Sequence, residues 1–129
     1  MSAAHHAEHR LATEPSSVRA ARQLVCEVVG NAAPSHDLDA LLLATSEVVT
    51  NALEHGGPPV ELSVDWDGSY VRVEVRDGSP LPPRPADHVP GPDEVRGRGM
   101  VIVDRCTDRW GVDPLADGKA VWFERSVGR

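Results

Sequence analysis

Cysteine is scarce in this sequence: Cys26 and Cys106 are the only two among 129 residues. They lie far apart with no CxxC, which excludes a cysteine-spaced metal site and argues for a reduced, cytoplasmic setting over a disulfide framework. Positive charge is also in deficit. The 13 Lys and Arg against 20 Asp and Glu leave a net charge of -7, the wrong sign for direct nucleic-acid binding through phosphates. A local pocket can still oppose that global charge and hold one nucleotide. Long hydrophobic runs are missing. No apolar stretch approaches the ~18 residues needed to span a bilayer, so no membrane partner is expected, and nothing resembles a signal peptide. Two phosphate-binding signatures are lacking as well. There is no GxxxxGK[ST], and Ile102 stands where GxGxxG would need its third glycine after Gly97 and Gly99. Nor does any Ser-His-Asp order or metal-spaced cluster offer another chemistry.

What is there reads as one domain. A chain of this length buries about two-thirds of its unfolded surface unaided. Residues 1–8, "MSAAHHAE", read as a disordered lead, with His5, His6 and His9 a loose tail in preference to a weak metal site. "HRLATE" is a candidate short strand. Ser16 or Ser17 is placed to cap a helix running to Val29, with Val18, Ala21, Leu24, Val25 and Val28 on one face. Gly30 and Asn31 stop it. A second helix is expected over 37–55. Leu38, Leu41, Leu42, Thr45, Val48, Val49, Ala52 and Leu53 share its broad apolar face, while Glu47, Asn51 and Glu54 fall opposite, beside Ala40 and Ala44. "VELSVDW" and "YVRVEVRD" alternate as a hairpin around "DGS" at 67–69. From 80 to 96 lie six of the eleven prolines, with no usable period. Such a long loop is usually functional or disordered. "GRGMVIVDRCTD" then opens a helix, and "RWGVD" and "KAVWFER" pair around "PLADG". Trp66, Trp110 and Trp122 are expected beneath the sheet or at its edges, Cys106 in helix packing, and His36 and His88 in loops. Hairpins and amphipathic helices each need one apolar cover, which predicts an α/β two-layer sandwich: one mixed, mostly antiparallel sheet with helices on one face.

Three segments carry candidate chemistry. Glu47 and Asn51, four apart, project side by side from the second helix. A carboxylate and an amide oxygen there can converge on a hard cation such as Mg²⁺, or they can be an ordinary solvated face. Asp77-Gly78 ends a strand; its carboxylate can accept a charge-assisted bond from the exocyclic amine of adenine, or the pair can be plain turn chemistry. "GRGM", Gly97 to Met100, opens a helix whose free N–H groups suit a phosphate, or it is a hinge.

The order of these parts, with "SEVVTNALEHG", "VRDGSP", "GRGMVIVD" and "GKAVWFE", resembles the ATP site of the GHKL (histidine-kinase-like, Bergerat) ATPase superfamily over about residues 9–125. Within it the chain is similar to the single-domain anti-sigma-factor serine/threonine kinases of actinobacteria. The resemblance implies a lead at 1–8 and one ATPase domain over 9–127, with an ATP lid at 80–96. It makes Glu47 the catalytic base and Asn51 the Mg²⁺ ligand, with ATP held by Asn51, His55, Asp77, Gly78, Gly97, Arg98, Gly99 and Met100. It implies a transferase that restrains a sigma factor and phosphorylates a serine on a small anti-anti-sigma partner. It allows a homodimer. Two positions depart from the family pattern: Ser79 replaces the glycine of Asp-x-Gly, and Ala120 replaces a threonine after "GK". They keep open an alternative, a catalytically silent module that holds or has lost ATP and regulates by contact. A detached histidine-kinase catalytic domain is a third reading, with no room for a phosphoacceptor helix pair or a sensor.

Overall fold

The structure, a computed structural model, describes residues 5–79 and 95–128, and for residues 95–99 the backbone alone. Most of the expected lid, together with His88, lies outside the described residues. The elements in order are β1 (His5–Leu11), α1 (Ser16–Val29), a 3-10 turn (Gly30–Ala32), α2 (Ser35–His55), β2 (Val60–Trp66), β3 (Tyr70–Asp77), α3 (Val95–Cys106), β4 (Arg109–Leu115) and β5 (Gly118–Ser126). The strands form a single five-stranded sheet in the order β1-β2-β3-β5-β4. All four pairings are antiparallel. The sheet is therefore fully antiparallel where a mixed one was expected, because each of these neighbours is joined in opposite sense. No helix among the described residues is long and apolar enough to cross a membrane.

Alternation along the strands decides which face the helices cover. Leu62, Val64, Val71, Val73, Val75, Val121 and Phe123 point inward, joining Ala21, Val25, Leu41, Val48 and Val49 of α1 and α2 in one core. The opposite parity carries charge. His6, Asp65, Arg72, Glu124 and Arg109 are successive partners across all five strands, a transverse row of alternating sign. Arg72 Nη1 donates to Glu124 at 2.9 Å, and Arg109 Nε to the same carboxylate at 3.0 Å. Opposite charges directly across a ladder stabilise the pairing. Trp122 lies on this outer face, away from the helix layer, with the Arg72 guanidinium 4.4 Å from its ring centroid. Trp66 is in the core. Trp110 packs partly against the core and donates to Asp104 at 2.9 Å.

Four local expectations are corrected. Residues 5–8, expected in a loose lead, belong to β1, which pairs without interruption from His5↔Trp66 to Leu11↔Val60. That pairing satisfies an edge of β2 that would otherwise carry unpaired backbone groups. Neither Ser16 nor Ser17 caps α1. Pro15 takes the N-cap position and Ser17 Oγ turns back to the Ala12 carbonyl at 2.5 Å. The third correction concerns α2, which has two covered sides. Ala44, expected on the polar side, is fully buried, as is Val103 of α3, because α3 packs across that side. Fourth, α2 begins at Ser35, so His36 is helical.

Asp37 ties the start of α2 to the far end of β5. Its Oδ1 accepts from Arg125 Nη2 at 2.8 Å and its Oδ2 from the Gly128 N–H at 3.2 Å. Arg125 Nη1 donates to the Cys106 carbonyl at the end of α3, the place where a cation complements the helix dipole. Burial pushes the pKa of Asp37 up, yet the Arg125 and Gly128 donors outweigh it and leave the carboxyl below its ordinary range.

Candidate functional site

α2 carries Glu47 and Asn51 on the flank that meets α3. Helical spacing puts them one turn apart, and both are half-buried. Asn51 Nδ2 lies 4.0 Å from the sulfur of Met100, which is itself buried on α3. Two of the expected site segments are thereby brought together by helix packing. Asn51 Oδ1 is buried and has no hydrogen-bond partner among the described residues. A buried acceptor left unpaired costs about 1–3 kcal/mol, so such an atom signals a missing donor or cation. The Glu47 carboxylate makes no hydrogen bond or ion pair among the described residues.

Asp77 closes β3 on the helix-facing side of the sheet, in line with Val71, Val73 and Val75. Its Oδ1 accepts from Lys119 Nζ at 3.0 Å and from the Ser79 N–H at 2.9 Å. Lys119 is its direct cross-strand partner on β5. The side chains are 1% and 5% exposed. Lys119 escaped sequence reasoning; the signal was its parity with Val121 and Phe123, which points it inward.

Gly78 was expected to let backbone approach a ligand. The close approach seen is internal: its N–H donates to the Gly57 carbonyl at 2.5 Å, and a Cβ there would stand 2.6 Å from the Pro58 carbonyl oxygen. Gly56 crowds Asp77 in the same way, since its Cβ would lie 2.5 Å from Asp77 Cγ and 2.6 Å from Oδ2. The segment after α2 thus packs against the end of β3 with glycine on both sides. His55 ends α2 with a side chain 36% exposed, 3.6 Å from Glu54. α3 starts at Val95, two residues before Gly97. Gly97 is in the first turn, where N–H groups lack intrahelical acceptors, and Gly99 is past it. The side chain of Arg98 lies outside the described residues.

Other hollows fall elsewhere. One, about 540 Å³, is on the outer sheet face among Asp65, Arg72, Arg109 and Glu124, whose charges are spent mostly on one another. It shares no residue with the segments above. Among the described residues no cluster of His, Cys, Asp or Glu is arranged to hold a metal.

Helix with Glu and Asn, strand ending in Asp-Gly, and Gly-x-Gly in the first turns of a helix are the recurrent parts of one ATPase fold. The histidine kinase-like ATPase domain matches residues 11–125. The chain belongs to that family. It is 36% identical over 87 residues to an uncharacterized protein of Streptomyces coelicolor, SCO4941, across 61% of this chain and 78% of that protein. The structure of the RsbU and RsbW domains of Rv1364c from Mycobacterium tuberculosis superposes with a TM-score of 0.72 at 18% identity, covering 96% of this chain and 33% of that one. The histidine kinase domain of the Erythrobacter litoralis EL346 blue-light activated kinase gives 0.57 at 20% identity, covering 88% and 60%. At these identities the likeness is one of fold, and this chain spans less than two-thirds of either structure's chain.

A histidine kinase-like ATPase domain implies bound ATP, with Mg²⁺ as its usual companion. The residues present fit that pair. Asn51 Oδ1 is an unpaired, neutral oxygen donor of the hard kind Mg²⁺ prefers, and Asp77 retains a second oxygen beyond the one held by Lys119 and Ser79.

Proposed function

We propose that this chain is an ATP- and Mg²⁺-dependent serine/threonine protein kinase that restrains a sigma factor in the cytoplasm and phosphorylates a serine of a small anti-anti-sigma partner. The observation that carries the reading is the Glu47–Asn51 pair. A half-buried carboxylate without a partner among the described residues stands one helical turn from a buried amide oxygen that lacks a donor. A protein that only holds nucleotide has no use for the first of these. The motif resemblance and the fold shared with a structure containing an RsbW domain support the same reading.

In this reading each residue has one task. Asn51 Oδ1 is the protein's ligand to Mg²⁺, and the metal, when bound, neutralises charge on the phosphates. Glu47 accepts the proton of the attacking serine hydroxyl. Asp77 Oδ2 accepts from the exocyclic amine of adenine. Phosphoryl transfer relies on positioning and charge more than on covalent help from the protein, so no further nucleophile is required.

A second reading, a regulatory module without catalysis, is favoured by Ser79 and Ala120, which stand where the family pattern has a glycine and a threonine. Labelled ATP, Mg²⁺ and candidate anti-anti-sigma proteins decide between the two. Transfer of label to a partner serine, abolished by Glu47→Gln with ATP affinity kept within a few-fold, is expected of the kinase. Tight binding of a sigma factor with no transfer under any condition would establish the silent module.

A further inference from the structure

A lysine buried opposite a nucleotide-facing aspartate asks for its own account. Lys119 and Asp77 are cross-strand partners on the helix-facing side of β5 and β3, at the end of an apolar run where a valine pair would pack without charge. A hydrophobic pair of similar size is often as stable as a buried ion pair, or more so. Stability alone therefore does not explain the lysine.

The acceptor geometry of the carboxylate does. A carboxylate offers about four lone-pair directions, two on each oxygen. Both donors among the described residues, Lys119 Nζ at 3.0 Å and the Ser79 N–H at 2.9 Å, go to Oδ1. Lys119 Nζ also reaches the Ser79 carbonyl at 3.4 Å, so the ammonium bridges the carboxylate and the residue that follows it. Oδ2 points to the side where Gly56 lacks a Cβ, which would otherwise sit 2.6 Å away. Gly118 sets up the approach of β5: its φ of 156° and its contact with the Asp77 backbone admit no side chain. Two glycines and one lysine thus fix a single carboxylate orientation.

We propose that Lys119 is a positioning residue for base recognition: it pins one oxygen of Asp77 so that the other is presented, as an acceptor only, to a purine carrying its exocyclic amine at C6. The inference rests on the reading of Asp77 as the adenine acceptor. With Oδ1 pinned, Oδ2 accepts from the amine of adenine and repels the carbonyl that guanine places at the same position. Without Lys119 the carboxylate is free to turn, and the discrimination weakens with the affinity.

The test is a double-mutant cycle on the full chain. ATP and GTP are titrated with Mg²⁺ by calorimetry into wild type, Lys119→Met, Asp77→Asn and the double variant, each first checked for a cooperative melt. Asp77→Asn and Lys119→Met should each weaken ATP about tenfold and narrow the preference over GTP. In the Asp77→Asn background, Lys119→Met should change ATP affinity by less than about twofold, since effects that run through one group do not add. Lys119→Arg, which keeps a charged donor, should recover part of the ATP preference. If methionine at this position prevents folding, Lys119→Gln carries the same comparison. An unchanged ATP-to-GTP ratio in the folded Lys119 variant, or two single effects that multiply in the double variant, overturns the proposal. A loss of ATP binding in Asp77→Asn with none in Lys119→Met defeats only the positioning role. A silent Asp77→Asn defeats the adenine reading and the positioning role with it.

Discussion

Replacing Gly56 by alanine pits two effects of opposite sign against each other, and the structure predicts which wins. Gly56 sits just past α2 with φ -87° and ψ 173°, a conformation alanine adopts without strain. Restricting the unfolded chain at such a site stabilises by about 0.4–1 kcal/mol. The added Cβ, however, would lie 2.5 Å from Asp77 Cγ and 2.7 Å from the Ala52 carbonyl oxygen. Asp77 has nowhere easy to go, because Lys119 and Ser79 hold its other oxygen, and the Ala52 carbonyl is fixed by the cap bond from the Gly56 N–H. Overpacking of this kind costs about 1–3 kcal/mol. The clash outweighs the entropy gain, and Gly56→Ala should be destabilised by about 0.5–2.5 kcal/mol, which lowers Tm by roughly 2–10 °C for a domain of this size. Gly57 is the internal control. Its Cβ would meet nothing closer than the Gly78 carbonyl carbon at 3.4 Å, an ordinary contact, so Gly57→Ala should be neutral or slightly stabilising. Thermal and urea melts of the two variants measure the difference directly. A Gly56→Ala protein as stable as Gly57→Ala would refute the crowding of Asp77 on which the site geometry depends.

Asp37→Asn removes a charged acceptor from Arg125 and should cost about 2–4 kcal/mol near neutral pH. Because the folded carboxyl titrates below its unfolded range, that stability is present above about pH 4 and is lost as pH falls through the folded value; a gap between variant and wild type that persists undiminished in acid would contradict the pairing. His6 behaves oppositely. Hydrogen bonds donated to Asp65 and then to Glu8 raise its range, so the anchoring of β1 is full below about pH 6.5 and fades as pH rises past the folded value; hydrogen exchange of β1 amides should quicken over that interval, and no change would count against the anchor. Asn51→Ala should weaken ATP in the presence of Mg²⁺ and have little effect without it. Equal losses in both conditions would remove Asn51 from the metal.

The elements themselves were legible in the sequence because their signals are local. Asp67-Gly68 between two alternating runs can close only a hairpin, and Gly68 indeed takes a φ of 98°. Periods of 3.6 and 2 placed α1, α2 and the strands β2, β3, β4 and β5 to within a few residues, and the order of the motifs pointed to the ATPase fold. Proximity of Glu47 to Asn51 was likewise dictated by one turn of helix. Partners distant in the chain had to wait for the tertiary structure. The first half of β1 reads as a polar tail until the open edge of β2 pairs with it. Ala44 reads as exposed until α3 covers the second side of α2. Asp77 reads as a free acceptor until β5 brings Lys119 across from it. Local sequence sets what a segment can form, whereas burial, register and the choice of partner depend on elements tens of residues away, and only their packing decides which oxygen of Asp77 Lys119 holds.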